Sequence, residues 1–251
     1  MNIAVDIGNT CIKCNILLPS GKSEVHALYI PLREGIFGEL TEGFPEPITW
    51  RIAQTGSFPW QEIKADVLKV RPRDKFKIVT RQHIPLKIDV DTPQKVGIDR
   101  LLAAFAATEQ YGDLPMLVVD AGSAITVDVV QDRTFCGGAI LPGLFAQSAT
   151  YPKISKKLPF LTIADLFAET KPVYPGRNTK DAIRNGIYWS TIGAIRQFYE
   201  MFFPKEKNVL LILTGGDAEY LLSGLSRVTP EERIKHHVAL VLEGIDRCFD
   251  E

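Results

Sequence analysis

The chain has 251 residues, of which 45% are hydrophobic and 24% are charged, as expected for an ordinary globular protein. Its 29 Lys and Arg residues nearly balance 30 Asp and Glu residues, and the net charge of −1 argues against a general binder of nucleic acid or anionic membranes. No apolar run approaches the roughly 20 residues that span a bilayer. Asp6 interrupts the short apolar start of the chain, so we expect a cytoplasmic protein without a signal peptide.

The N-terminal half is predicted to begin with strands. Apolar runs at 3–6, 11–18 and 24–30 predict three strands in an antiparallel meander. The residues PSGK (19–22) predict the turn between the second and third strands. Apolar residues at helical spacing predict a long helix over 96–112. The elements predicted between these are a helix at 33–41, a strand at 48–53, a helix at 60–68 and a strand at 77–80.

The C-terminal half is predicted to repeat this order. Three strands are again followed by helices that alternate with a strand, so we predict a duplicated α/β domain, with domains at 1–113 and 114–251. The segment 153–178 is rich in Pro and Lys and is predicted to be a loop with a short helix at 163–167. The other predicted elements are strands at 116–120, 125–131, 134–140 and 208–216, and helices at 143–151, 179–203, 218–225 and 238–248.

Each half carries a hairpin with polar residues that a buried strand does not need. In DIGNTCIK (6–13) and DAGSAITV (120–127), an Asp is followed two residues later by a Gly and then by small polar residues. Glycine lets the chain pass close to a ligand, the N–H groups of such turns bind anions, and a strand-end carboxylate suits Mg²⁺. Lys13 follows the first turn, whereas Val127 stands at the corresponding position of the second. Together the hairpins favour a nucleotide triphosphate with its metal over two ordinary Asp-Gly turns.

A third polar segment opens the long predicted helix. Gly97 precedes Asp99 and Arg100 in the segment TPQKVGIDR (92–100). A carboxylate ligand would be favoured here by the helix dipole and by a bidentate Arg, and Asp99 could accept a proton from a hydroxyl of the substrate. The alternative is a solvated Asp in the first turn beside a surface Arg, and the segment alone does not decide between the two.

Three other features also have structural explanations. LTGGDAEYL (213–221) predicts a strand, a Gly-Gly turn and a helix, and this turn either holds an adenine ring or simply connects the two elements. Cys11 and Cys14 are three residues apart in a predicted strand and point to opposite faces, which argues against a redox or zinc pair and for inert, reduced thiols. His236 and His237 have no partner at ligand spacing, and we expect them at the surface.

Five segments, in chain order, resemble the type III pantothenate kinases. They are DIGNTCIK (6–13), GIDR (97–100), DAGSAITVD (120–128), GGAILPG (137–143) and NTKDAIRNG (178–186). The resemblance implies an α/β fold of two ribonuclease-H-like domains, as in actin and the acetate and sugar kinases, with a cleft between them. It also implies a homodimer that phosphorylates pantothenate to 4′-phosphopantothenate with ATP, the first step of coenzyme A biosynthesis.

The resemblance assigns roles to individual residues. It implies Asp99 as the general base, Mg²⁺ at Asp6 and a monovalent cation, K⁺ or NH₄⁺, at Asp120. The ATP-binding residues that it implies are Asp6, Ile7, Gly8, Asn9, Thr10, Cys11, Ile12, Lys13 and Ser123. The pantothenate-binding residues that it implies are Gly97, Ile98, Asp99, Arg100 and Thr179.

The sequence departs from the family pattern at two positions. Val90 stands where the family usually has a substrate-contacting Tyr, so that contact is lost or supplied by another residue. Ser123 stands where Thr is more frequent, but it keeps the hydroxyl group.

Two other functions compete with the pantothenate kinase. A regulator related to the Bvg accessory factor is disfavoured because Asp6 and Asp99 are both present, and a sugar or polyol kinase is disfavoured because Arg100 suits an anionic substrate.

Overall fold

A computed structural model describes residues 1–17, 23–45, 47–168, 175–204, 208–227 and 229–249. The chain forms two compact units, one made of Met1–Gln110 with Ala239–Glu251 and the other of Tyr111–Val238. The sequence assigned the segment after 238 to the second domain, whereas in the structure it packs within the first unit. The described part of the chain contains no helix with the length and apolar character that a bilayer span requires.

The secondary structure alternates strands and helices throughout the chain. The elements up to the end of the third helix are β1 Asn2–Ile7, β2 Cys11–Leu17, β3 Ser23–Tyr29, α1 Ile36–Leu40, β4 Thr49–Gln54, α2 Trp60–Val70, β5 Lys75–Ile78, β6 Lys87–Ile88 and α3 Ile98–Tyr111. They are followed by β7 Met116–Ala121, β8 Ala124–Gln131, β9 Thr134–Pro142, α4 Leu144–Ser148, α5 Tyr151–Ile154, α6 Ile163–Leu166, α7 Thr179–Phe202, β10 Leu210–Thr214, α8 Ala218–Leu225, β11 Ile234–His236 and α9 Leu240–Arg247. Short 3₁₀ helices occupy Arg81–His83, Pro93–Lys95 and Glu231–Arg233.

The sheet of the first unit has the strand order β3-β2-β1-β4-β5. β1, β2 and β3 form the predicted antiparallel meander, while β4 and β5 run parallel to β1. The predicted turn at 19–22 lies outside the described residues. Alternate side chains of the first two strands point into the core, as the period of two in a strand requires. They are Ile3, Val5, Ile7, Ile12, Cys14 and Ile16.

The strands of the second unit repeat this topology. β7, β8 and β9 form an antiparallel meander, and β10 and β11 follow as parallel strands beside β7, in the order β9-β8-β7-β10-β11. Each of these five strands of the second unit therefore has a counterpart in the sheet of the first unit. The predicted duplication of a ribonuclease-H-like α/β domain is confirmed.

One predicted helix differs from the structure, and two short strands were not predicted. The helix predicted over 143–151 ends at Ser148, and a second helix, α5, begins at Tyr151 with Pro152 in its first turn. Proline has no N–H to donate to the carbonyl of the residue four positions earlier and is tolerated at the start of a helix, so the helical run is divided there. β6 and β11 were not predicted, because two and three residues are too few for a periodic signal. The short predicted helix at 163–167 is confirmed as α6.

A buried charged pair fixes the start of β4. The carboxylate of Asp74 accepts hydrogen bonds from the backbone N–H of Ile48 (2.8 Å), from Nε1 of Trp50 (2.9 Å) and from Nε of Arg71 (2.9 Å). Its side chain is fully buried, and that of Arg71 is 9% exposed. The Arg71 guanidinium also donates to the carbonyl oxygens of Thr41, Phe44 and Pro45. Because both charges are buried, this complete set of partners is what makes the pair tolerable.

Candidate active site

The first Asp-x-Gly hairpin brings a carboxylate and an ammonium group together. Asp6 of β1 lies directly opposite Lys13 of β2 in the antiparallel register, so their side chains share one face of the sheet. Both charges act on the thiol of Cys11, whose pKa is raised by burial, lowered by Lys13 and raised by Asp6. Asn9 and Thr10, which form the turn, are exposed. The exposed turn therefore lies beside two opposite charges on one face of the sheet.

The turn after β4 supports this hairpin from behind. The backbone N–H groups of Thr55 (3.0 Å) and Gly56 (2.7 Å) both donate to the carbonyl oxygen of Ile7. A Cβ atom at Gly56 would lie only 2.1 Å from the carbonyl oxygen of Gly8, so a side chain there would displace the hairpin turn. Gly56 is thus a structural requirement of the hairpin that lies about 50 residues away in the chain and that local sequence patterns do not indicate.

The neighbouring apolar and cysteine residues have a structural role. Ile7 and Ile12 are fully buried in the core, so only their backbone groups face the turn. Cys14 is also fully buried, and desolvation raises the pKa of its thiol to about 12, which keeps it protonated and unreactive at neutral pH. The four cysteines, all within the described residues, form no disulfide bond.

The segment Gly97–Arg100 forms the start of α3. The carboxylate Oδ1 of Asp99 accepts a hydrogen bond from the backbone N–H of Arg100 at 2.9 Å. A Cβ atom at Gly97 would lie 2.4 Å from the same oxygen, so glycine is needed for the carboxylate to fold over this turn. A negative charge in the first turn of a helix is also favoured by the helix dipole. Asp99 and Arg100 are both half-buried.

The second Asp-x-Gly hairpin differs from the first in its register. Its turn is one residue shorter, so Asp120 lies opposite Thr126. The sequence alignment of the two hairpins placed Val127 at the position equivalent to Lys13. This is wrong, because Val127 pairs with Val119 and its side chain is fully buried in the core. The residue opposite the Asp120 carboxylate is nonetheless uncharged, in contrast to Lys13 in the first hairpin.

Two glycine turns pack against the second hairpin. Gly215 has a φ of 99°, and a Cβ atom there would lie 2.4 Å from Oδ1 of Asp120 and 2.3 Å from the carbonyl oxygen of Ala121. Gly143 donates its backbone N–H to the carbonyl oxygen of Ser123 at 3.2 Å. A Cβ atom at Gly143 would lie 2.6 Å from that same oxygen. Each of these two glycines thus packs so closely against the second hairpin that a side chain there would displace it.

Thr179 is the first residue of α7 and is exposed. The side-chain oxygen of Asn178 accepts from the backbone N–H of Asp181 (2.9 Å), and its amide donates to the Asp181 carboxylate (2.7 Å), which caps the helix. Lys180 donates to Oδ1 of Asp165 at 3.1 Å and ties this end of the helix to α6. The position of Thr179 is therefore fixed by the residues on either side of it.

The similarity of this chain to known proteins shows its family. Residues 45–201 match the family model described as type III pantothenate kinase. A type III pantothenate kinase from Flavobacterium johnsoniae is 31% identical over 227 residues, which cover 90% of this chain and 89% of that protein. The chain belongs to the type III pantothenate kinase family. Another member, from Rhodopirellula baltica, is 38% identical over 169 residues, which cover 67% of this chain and 60% of that protein.

Solved structures support the fold of this family member. A structure from Campylobacter jejuni, described as a Baf family transcriptional activator, has a TM-score of 0.57 at 23% identity and covers 98% of this chain and 96% of that one. At this identity the likeness concerns the fold alone. The predicted family membership and the predicted kinase class are confirmed, and ATP-dependent phosphorylation of pantothenate is the activity for which the type III pantothenate kinase family is named.

Two interactions in this type III pantothenate kinase were missed by sequence reasoning. Arg81, which no motif includes, donates hydrogen bonds to backbone carbonyls just before Gly97. His237 was expected at the surface without a partner, but it is half-buried and its Nε2 lies 2.8 Å from the Tyr111 hydroxyl. Both interactions join residues that are distant in the chain, so local sequence patterns do not predict them.

Proposed function

We propose that this chain transfers the γ-phosphoryl group of ATP to the primary hydroxyl of pantothenate, with the two Asp-x-Gly hairpins and the Gly97–Arg100 segment as its working parts. The observation that carries the proposal is the register of the first hairpin, which sets Asp6 opposite Lys13 beside an exposed polar turn. Phosphoryl transfer depends mainly on positioning and on neutralising charge, and such a hairpin offers both.

On the nucleotide side, the exposed turn residues Asn9 and Thr10 bind phosphate oxygens, while the backbone N–H of Gly8 closes the turn by donating to the carbonyl oxygen of Cys11 at 3.1 Å. Lys13 neutralises their charge from the adjacent strand. Asp6 holds Mg²⁺ together with the phosphates. The described residues contain no cluster of three or more His, Cys, Asp or Glu side chains suited to a metal. One carboxylate is enough for this ion, because Mg²⁺ in kinases is usually held by one or two carboxylates, by water and by the phosphates of the substrate.

In the second hairpin, Asp120 binds a monovalent cation, K⁺ or NH₄⁺. Support for this comes from the two oxygens, the Asp120 carboxylate and the Ala121 carbonyl, that converge beside Gly215. Oxygen donors of this kind suit hard cations, and the opposite residue, Thr126, supplies no positive charge. Ser123 is exposed and contacts the nucleotide.

On the acceptor side, Arg100 binds the pantothenate carboxylate and Asp99 orients and deprotonates the attacking hydroxyl. One oxygen of Asp99 is held by the backbone N–H of Arg100, which fixes the carboxylate without removing its capacity to accept a proton. Gly97 and Ile98 supply the backbone of this turn, and Thr179 contributes its exposed hydroxyl.

A homodimer completes the proposal. Exposed apolar side chains in the second unit support it, namely those of Phe145, Ile154, Phe160 and Ile163. The rings of Phe145 and Phe160 contact each other edge to face, with centroids 5.2 Å apart. Exposed apolar groups of this size are a common feature of subunit interfaces. Sedimentation of wild type and of Phe145→Glu should show a dimer that the substitution weakens.

The function is tested by ADP release with purified protein, ATP and Mg²⁺. Pantothenate should support turnover, whereas a panel of sugars and polyols should not. Turnover with a sugar and none with pantothenate would assign the chain to another kinase class. Absence of turnover with every acceptor, in a folded protein that binds ATP, would favour a regulatory protein.

A further inference from the structure

Arg81 lies at the start of the 3₁₀ helix that follows β5, and its guanidinium group reaches across to a distant loop. One terminal nitrogen donates to the carbonyl oxygen of Pro93. The other donates to the carbonyl oxygens of Gln94 (3.1 Å) and Val96 (2.7 Å). All three acceptors belong to the segment immediately before Gly97. One side chain therefore gathers the carbonyl groups that lead into the proposed acceptor-binding turn.

The guanidinium group suits this task better than any other side chain. It is planar, it is charged at every working pH, and it presents several donors in a fixed fork. Charge-assisted bonds to carbonyl oxygens are stronger than bonds between neutral groups. A lysine could keep the charge, but a single ammonium on a flexible stem would not hold three carbonyl groups in the same arrangement.

The segment that Arg81 holds continues directly into the residues proposed to do the chemistry. Val96, whose carbonyl oxygen is one of the three acceptors, precedes Gly97, where the Asp99 carboxylate folds back over the turn. The carbonyl oxygen of Gly97 in turn accepts from the backbone N–H of Leu101 in α3. Gly97 is thus held on one side by a hydrogen bond to α3, and the residue before it is held by the hydrogen bond from Arg81.

Arg81 is itself held by its neighbours. The backbone N–H of Thr80 donates to Nδ1 of His83 at 3.0 Å, and this bond closes the short turn that contains Arg81. The His83 ring packs against Phe249, with ring centroids 5.0 Å apart. Lys77 lies over the same Phe249 ring at 5.0 Å. A residue braced in this way can transmit its position to the loop that it binds.

We infer that Arg81 is a positioning residue for pantothenate, which acts by fixing the 93–96 loop and, through it, Gly97, Asp99 and Arg100. The inference rests on the proposed function, because it assigns Arg81 to the acceptor side of that reaction. In this role Arg81 does not touch the reacting atoms. Its loss should therefore weaken acceptor binding and leave the nucleotide side unaffected.

The test compares steady-state kinetics of wild type, Arg81→Met and Arg81→Lys, with each substrate varied at saturation of the other. In Arg81→Met the KM for pantothenate should rise about tenfold, as expected for the loss of charge-assisted hydrogen bonds that position a site. The KM for ATP should stay within about twofold of wild type. The pantothenate KM of Arg81→Lys should lie between those of wild type and Arg81→Met. Arg33→Met is a matched control, since Arg33 is an exposed Arg of the same unit that pairs with Glu39.

The thermal midpoint shows whether each variant is folded, and the wild-type rate shows whether the protein has the proposed activity. An unchanged pantothenate KM in folded Arg81→Met, or equal rises in both KM values, would overturn the inference. If Arg81→Met is too unstable to assay, Arg81→Lys decides by the same two KM values. A wild-type protein without pantothenate kinase activity would overturn the proposed function itself, whereas an active wild type with an unaltered variant overturns only the role of Arg81.

Discussion

Replacing Asp99 by Asn separates the chemistry of this residue from its structural role. The amide oxygen of Asn can still accept the 2.9 Å hydrogen bond from the backbone N–H of Arg100, and the side chain has nearly the same volume. The change in stability should therefore stay within about 1 kcal/mol, the net value of one hydrogen bond. An amide cannot take up a proton, so turnover should fall by about 10²–10⁴-fold, the usual contribution of a general base.

The assay measures ADP release at saturating ATP and pantothenate, together with ATP binding and the thermal midpoint. Asp91→Asn is the matched control, because Asp91 is an exposed carboxylate of the same unit and should tolerate the change. We expect Asp99→Asn to bind ATP like wild type and to turn over far more slowly. A rate within roughly threefold of wild type would refute the assignment of Asp99 as the base.

Three further predictions concern the two hairpins and the buried pair. Lys13→Ala should raise the KM for ATP more than the KM for pantothenate, and the reverse pattern would move Lys13 to the acceptor side. Asp120→Asn should lower the rate and blunt its dependence on K⁺, measured against a bulky organic cation at constant ionic strength; equal wild-type rates in both salts would remove the monovalent site. Asp74→Asn should lower the free energy of unfolding by about 3–5 kcal/mol, because it leaves the buried Arg71 without a counter-charge, and a urea titration showing less than about 1 kcal/mol would contradict this.

Much of the architecture and the main motifs were predictable from local patterns. The period of two in β1 and β2 indicated which side chains enter the core, and the repeated Asp-x-Gly hairpin indicated a duplicated domain. The Gly97–Arg100 segment was placed at a helix start because Gly, an acidic residue and apolar residues at helical spacing follow one another there. These features depend on neighbours within a few residues, and that is the range over which backbone preferences act.

Other features depended on contacts between distant parts of the chain. Gly56 supports the first hairpin and Gly215 the second, each from a turn that a sequence pattern cannot match with its partner. The one-residue difference between the hairpins, which sets Thr126 and not Val127 opposite Asp120, became visible only in the register of the paired strands. A pairing register and the reach of a side chain such as Arg81 are set by packing across the whole unit. The sequence by itself therefore determined the family, the duplicated fold and the motifs, while the tertiary structure decided which residues hold those motifs in place.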